Sequence, residues 1–349
     1  MSNHPFDVLT PDAIIDAVEA AGYVSDARLL ALNSYENRVY QVGIEDAEPI
    51  IVKFYRPGRW TKEQLQEEHS FSEELVEAEI PVVGPLKNAD GETVHRWGGL
   101  LYTLFPRRGG HAPEFDNLDN LLVLGRTLGR IHAIGATKPF KHRPKLEGQA
   151  IIDESRKLLP EHFIPSDLKT AYVTLLNDLE QELAPRIAQM EATPGIRVHG
   201  DCHGGNILWR DDTANFVDLD DCMTAPAIQD LWMFLSGEPN DQEIQLGEVI
   251  AGYEEFFEFD PKQLHWIETL RTLRIIRYAA WLARRWVDPA FPKAFPWFNS
   301  ERYWSDHILE LREQFARLQE PPLRLLWDLV LAQRAVHTFS NRLHKIIQR

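Results

Sequence analysis

Two rhythms of apolar and polar residues run through the first hundred positions. Residues 38–44 (RVYQVGI) and 50–55 (IIVKFY) alternate or run apolar and β-branched, as strands do. Ahead of them, Thr10 is placed as an N-cap, Pro11 at the first helical position and Gly22 as a stop, which predicts a helix between them. Residues 61–78 are charged, with apolar positions at Leu65, Phe71, Leu75 and Val76. That spacing suits a helix with one buried face, ended by Pro81. Two strands then flank a turn at Asn88–Gly91, the second being GGLLYTLF from Gly98 to Phe105. The order is helix, two strands, helix, two or three strands: a small antiparallel sheet with a helix packed on it.

Pro106 and the RRGG that follows break the pattern. Beyond them the spacing is mostly helical, over 118–134, 167–190, 242–257, 262–286 and 302–318, around a strand-rich island at 199–221. The expected division is a sheet lobe over 1–105, a larger and mostly helical lobe over 106–320, and a basic amphipathic tail over 321–349. In that tail Arg324, Arg334, Arg342, Lys345 and Arg349 stand against Asp328. It reads as a terminal helix packed on the large lobe, with a docking or membrane-surface helix as the alternative.

Composition narrows the class. At 349 residues the chain exceeds what one hydrophobic core usually serves, which agrees with two lobes. A net charge of −16 argues against nucleic-acid binding, which needs clustered Lys and Arg. No stretch of 18 apolar residues occurs, and the N-terminus lacks the regions of a signal peptide, so no membrane span and a cytoplasmic location are expected. Cys202 and Cys222 match no metal spacing or disulfide framework and read as reduced thiols.

The chemistry concentrates in HGDCHGGNILWRDDTANFVDLDD, residues 199–221. His199-x-Asp201-x₄-Asn206 has the spacing of the kinase catalytic loop, and Asp218 follows Phe216-Val217 where a metal-binding Asp leaves a strand. Asp, Asn and Gly are also turn residues, but turns rarely reproduce this spacing. Asp201 would accept or orient the proton of the attacked hydroxyl, and Asn206 and Asp218 are hard oxygen ligands suited to Mg²⁺. His199 and His203 read as positional rather than as zinc ligands. Asp220 and Asp221 stand close enough to join the metal site. Asp230 would cap the next helix or accept hydrogen bonds from the catalytic-loop backbone.

Lys53, inside IIVKFY, matches the strand lysine that pairs the α- and β-phosphates of ATP. Its partner would be a carboxylate on the next helix, Glu68 in preference to Glu67, because the apolar face lies on the side of Glu68. No G-x-G-x-x-G is present. LNSYENRVY (Leu32–Tyr40) stands in its place, where Asn33, Ser34 and Asn37 could bond phosphate oxygens. Together these features predict an α+β, two-lobed protein-kinase-like fold.

LNSYENRVYQV, VKFYRPGRW, VHGDCHGGNILWRD, FVDLDD, PAIQDLWM and WVDPAFPKAFPW carry a resemblance to the bacterial stress response kinase A family, with Val198 and Val287 departing from its Leu and Ala. The likeness runs from about residue 10 to about 325 and does not include the basic tail. It implies a choline-kinase or aminoglycoside-phosphotransferase-like fold and serine/threonine-protein kinase activity with autophosphorylation. It also implies a cytosolic role in stress survival. By residue it implies Asp201 as proton acceptor, Asn206 and Asp218 as Mg²⁺ ligands, and Ser34 at the ATP site. The expected partners are ATP and a protein carrying Ser or Thr, met by a monomer.

Fold alone leaves the acceptor open, since small-molecule kinases share it. Arg271, Arg274, Arg277, Arg284, Arg285 and Lys293, with Trp281 and Trp286 among them, would make a basic acceptor groove that favours acidic protein segments. Pairing with the chain's own surplus of acids is the alternative use of these residues. A small-molecule kinase and a nucleotide-binding pseudokinase-like module remain the competing functions.

Overall fold

The computed structural model describes residues 4–325. Helix α1 (Pro11–Ala20) starts as its cap dictates, with the Thr10 hydroxyl accepting from the N–H of Ala13 at 3.2 Å. Strands β1 (Ser25–Ala31), β2 (Arg38–Ile44) and β3 (Ala47–Phe54) follow. Helix α2 (Lys62–Glu77) comes next, then β4 (His95–Trp97) and β5 (Leu100–Pro106). The five strands form one antiparallel sheet in the order β1-β2-β3-β5-β4. Ile14, Ala17 and Val18 of α1 pack on Val42, Val52 and Leu104 of the sheet, and the Tyr102 hydroxyl donates to the Ala17 carbonyl at 2.6 Å.

Three sequence expectations change here. Strand β1 escaped the reading because a bulge falls between Ser25 and Leu29, and Ala27 sits at φ +66°, so alternation is lost. The Asn88–Gly91 turn exists, closed by the Gly91 N–H on the Asn88 carbonyl, but it does not join two strands. The hairpin turn is at Gly98 and Gly99, φ +55° and +84°, so the strand begins at Leu100 rather than Gly98. Helix α2 buries Leu65, Phe71 and Leu75 as expected, while Val76 is exposed and the chain leaves the helix at Ala78, ahead of Pro81.

The larger part is built from α3 (Leu118–Gly135), α4 (Gly148–His162), α5 (Ser166–Glu191), β6 (Ile196–Val198), β7 (Ile207–Arg210), β8 (Thr213–Phe216) and β9 (Met223–Ala225). It continues with α6 (Ile228–Leu231), α7 (Pro239–Tyr253), α8 (Ile267–Arg285), α9 (Ala290–Ala294) and α10 (Glu301–Arg317). Helix α4 was not expected, its start at Gly148 and its internal Pro160 having masked it. The pattern at 262–286 is a 3₁₀ segment, Pro261–Trp266, running into α8. Helices α3 and α7 meet backbone to backbone: a Cβ on Gly125 would lie 2.0 Å from the Val249 carbonyl oxygen.

Two features tie sheet and helices together. Phe216 at the end of β8 exchanges backbone hydrogen bonds with Pro81 and Val83, the stretch after α2. Asp288, 1% exposed after α8, accepts from Arg38 at 2.9 Å and Arg56 at 2.6 Å, and His4 lies 3.4 Å away. Glu36 likewise meets Arg285 and Trp281 of α8. The tail expectation falls almost wholly on 326–349, outside the described residues; Arg324 itself pairs with Glu243.

Candidate active site

A cleft of about 710 Å³ lies between sheet and helices, lined by Ser34, Lys53, Glu68, Asp201, Asn206 and Asp218 among others. These six residues therefore border one cavity. Lys53 comes from the central strand β3, where it pairs in register with Val39 and Thr103. Its ammonium is buried and bonded to Asp218, with Asp220 at 3.4 Å. Burial alone would discharge the lysine, but the two carboxylates outweigh it and keep the ammonium charged well above the ordinary lysine range.

The expected Lys53–Glu68 bond is not made. Glu68 is buried on α2 with Oε2 lacking a hydrogen-bond partner, and its paired cation is Arg143, 3.9 Å away. Burial, helped by the Asp220 charge, pushes its carboxyl up. Glu67 is ruled out as the lysine's partner. It accepts from the backbone N–H groups of Lys141, His142 and Arg143 at 2.6–2.7 Å, stapling that loop to α2.

Asp230 fixes the catalytic loop. Its carboxylate accepts from the N–H groups of His199 and Gly200 at 2.7 and 2.8 Å and meets His132 Nε2 at 3.0 Å, which selects the second of its two expected roles. Gly200 (φ +86°) is required there, since a Cβ would stand 2.2 Å from the Asp221 carbonyl oxygen. His199 Nε2 reaches the Val217 carbonyl at 2.9 Å, joining the loop to the segment that carries Asp218. The Asn206 amide donates to the Asp201 carbonyl at 2.9 Å, so its oxygen is left for the cleft.

Asp201 is held on both carboxylate oxygens, by Arg274 Nη1 at 2.5 Å on Oδ1 and by His203 Nε2 at 3.4 Å on Oδ2. Burial would raise its carboxyl, but these two neighbours hold it well below the usual carboxylate range. Asp218 occupies the left-handed region at φ +59°, ψ +58°, rare for a residue with a side chain. The turn leaves its carboxylate about half exposed to the cleft, at a strain of about 1–3 kcal/mol.

Sequence reasoning undervalued Asp220. It is 2% exposed and accepts from Asn37 at 3.0 Å and Arg59 at 2.7 Å besides facing Lys53, so it joins three parts of the cleft. The signal available was the second acid of DLDD, read as a spare metal ligand. Asn37 is correspondingly committed, its oxygen accepting from the Arg56 N–H at 3.2 Å. The Ser34 hydroxyl accepts from the Val39 N–H at 3.0 Å and shapes the loop that replaces a glycine-rich turn.

The basic groove is only partly as expected. Arg271 bonds Gln242, Arg284 pairs with Glu154, Arg285 pairs with Glu36, and Lys293 is exposed on α9. Arg274 and Arg277 do line the cleft, and both also touch acids there, Asp201 and Asp221. Cys202 and Cys222 are unbridged and wholly buried, and burial pushes both thiols up.

A strand lysine, a loop Asp and Asn, and a strand-end Asp around one cleft between a small sheet and a helical body define a kinase-type phosphotransferase. The profile of the phosphotransferase enzyme family matches residues 28–267. Stress response kinase A of Escherichia coli O157:H7 is 46% identical over 321 residues, which cover 92% of this chain and 97% of that protein. The serine/threonine protein kinase RdoA of Salmonella typhimurium strain LT2 is equally similar, at 46% with the same coverage. Among solved structures, the amicoumacin kinase hAmiN in complex with AMP-PNP, Ca²⁺ and Ami has a TM-score of 0.69 at 21% identity, covering 89% of this chain and 95% of that one. A microcompartment-associated aminopropanol kinase has a TM-score of 0.66 at 17% identity, covering 90% and 100%. The chain thus belongs to the phosphotransferase enzyme family and, within it, to the stress response kinase A family.

Proposed function

We propose that this kinase is an ATP- and Mg²⁺-dependent serine/threonine-protein kinase that also phosphorylates itself and serves in stress response. The supporting observation is the convergence of Lys53, Asp201, Asn206 and Asp218 on one cleft. In this reading residues 1–105 hold the nucleotide and 106–320 supply the loop and the acceptor side. Lys53 binds the α- and β-phosphates, Ser34 shapes the loop over them, and Glu68 is the carboxylate to which Lys53 turns when phosphate displaces Asp218 from it. Asp201 orients the acceptor hydroxyl and receives its proton as the oxygen bonds to the γ-phosphorus. The bond from that phosphorus to the bridging oxygen breaks, and ADP leaves with the electron pair.

The donor set fits Mg²⁺. The Asn206 amide oxygen and the half-exposed Asp218 carboxylate are both hard oxygens, few enough to leave places for phosphate and water. When bound, the ion would neutralise charge on the β- and γ-phosphates. Among the described residues no helix is long and apolar enough to cross a membrane. The protein would act as a cytoplasmic monomer, encountering its substrates by diffusion.

A small-molecule alcohol is the second reading, because the similar amicoumacin and aminopropanol kinases are named for such compounds. Arg274 and Arg277 at the cleft weigh against cationic acceptors. The experiment is transfer from ATP, with Mg²⁺, to protein serine or threonine, followed by phosphoamino-acid analysis. Asp201→Ala should reduce transfer by about 10²–10⁴-fold while nucleotide affinity stays within a few-fold. Unimpaired transfer by folded Asp201→Ala would remove that residue from the mechanism.

A further inference from the structure

Helix α8 presents Arg274 and Arg277 to the cleft, three residues apart and so on one face. Their side chains are 43% and 48% exposed, whereas Lys53 and Arg59, at 8% and 15%, both face the buried Asp220 carboxylate. An incoming acceptor can therefore reach these two guanidinium groups without dismantling the core of the site. Tyr278 and Trp281 stand on the same wall.

Arg274 also occupies the position an acceptor needs. Its Nη1 takes Oδ1 of Asp201, and His203 lies against Oδ2, so neither oxygen of the proposed proton acceptor is unengaged. A hydroxyl that is to bond Asp201 must share that oxygen with Arg274 or displace it. Displacement by a neutral acceptor would strip a charge-assisted hydrogen bond from a partly exposed pair. An acceptor with its own carboxylate gives the guanidinium a replacement partner, so the exchange leaves the arginine paired. A cationic acceptor offers no such partner and meets two like charges.

We infer that Arg274 determines acceptor specificity, capping Asp201 until an acidic side chain near the acceptor Ser or Thr draws the guanidinium away, with Arg277 as a second anchor one turn on. This rests on the protein-kinase reading above. The uncapped Oδ1 then receives the hydroxyl proton as the new oxygen–phosphorus bond forms and ADP departs.

The test uses the full chain with ATP, Mg²⁺ and a positional-scanning library of Ser/Thr peptides. Wild type, Arg274→Gln and Arg274→Lys are compared, with acceptor-free ATP hydrolysis and thermal melts run alongside. Wild type should favour Asp or Glu over Lys near the acceptor by about tenfold. Arg274→Gln should lose nearly all of that preference, and Arg274→Lys should keep part of it. Acceptor-free hydrolysis should rise several-fold in Arg274→Gln, because Asp201 is no longer capped. A charge-blind wild-type profile with abundant phosphopeptide would overturn the inference and leave the kinase reading standing. So would an Arg274→Gln protein that melts earlier and slows on every peptide alike. ATP turnover with no phosphopeptide in any variant would reject the protein-kinase reading, and this inference with it.

Discussion

His69 shows how one buried residue of the sheet lobe couples the fold to pH. It stands next to Glu68 on α2, with Nδ1 2.7 Å from the Thr93 hydroxyl and Nε2 3.4 Å from the Tyr55 hydroxyl. Burial, reinforced by the Lys53 charge, pulls the imidazole down to about 3. An unfolded chain takes up that proton near pH 6.5, which the native state refuses until about pH 3. The contribution is thus whole above pH 6.5 and lost as pH falls toward 3, roughly 5 kcal/mol in all. Glu68 has the opposite sign: its raised carboxyl contributes at low pH and that share is lost as pH rises through its native value. Chemical denaturation of wild type and His69→Gln between pH 4 and 7 should show the variant's stability rising with pH by nearly one proton less. Equal slopes would mean that His69 is charged in the native state.

Secondary structure was legible where one periodicity ran without interruption. Helix α1 follows from Thr10, Pro11 and Gly22, and α2 from the spacing of Leu65, Phe71 and Leu75. Strand β1 and helix α4 were lost to a local exception, a left-handed alanine in one and a glycine start with an internal proline in the other. Tertiary contacts override propensity in both. In the cleft, spacing pointed to Asp201, Asn206 and Asp218, whose separations along the chain are set by short local structures, and the strand IIVKFY pointed to Lys53. The partner of Lys53 was not legible, since Asp218 and Asp220 lie more than 160 positions away and the apolar face of α2 pointed to Glu68 instead. Packing of α3 on α7 makes a prediction that no pattern would give. Gly125→Ala places a methyl 2.0 Å from a backbone oxygen, so the helices must part, at about 3 kcal/mol or more. Urea unfolding measures it, and a loss below about 1 kcal/mol would mean that the helix pair slides freely.

At the scale of the molecule, a lattice of charges holds the sheet against the helices. Asp288 precedes α9, in the WVDPAF string of the family resemblance, and gathers Arg38, Arg56 and His4 from the other lobe. Glu36 of the loop over the cleft reaches Arg285 and Trp281 of α8. Removing the anion leaves Arg38 without a counter-charge and Arg56 with Glu36 alone, which costs more than forming the pairs ever gains. Asp288→Asn should therefore destabilise the fold by about 3–5 kcal/mol. Nucleotide affinity should fall with it, since the loop carrying Ser34 is anchored by the same arginines through the Tyr35 carbonyl. Calorimetry on the variant, with and without ATP, checks both. A stable variant with weakened nucleotide binding would place the lattice's importance in the loop alone.

The two thiols sealed around the catalytic loop have a redox consequence. Oxidants attack thiolate, and here neither sulfur is reachable or readily ionised, since Cys202 and Cys222 are wholly buried with both thiols pushed up. Peroxide that converts exposed protein cysteines to sulfenic acid should leave both unmodified in the native kinase. Mass spectrometry should find them labelled only after denaturation. Modification of native Cys202 at rates near those of a free thiol would show that the loop opens. Otherwise phosphorylation would continue through the oxidising episodes in which enzymes relying on exposed thiols fall silent.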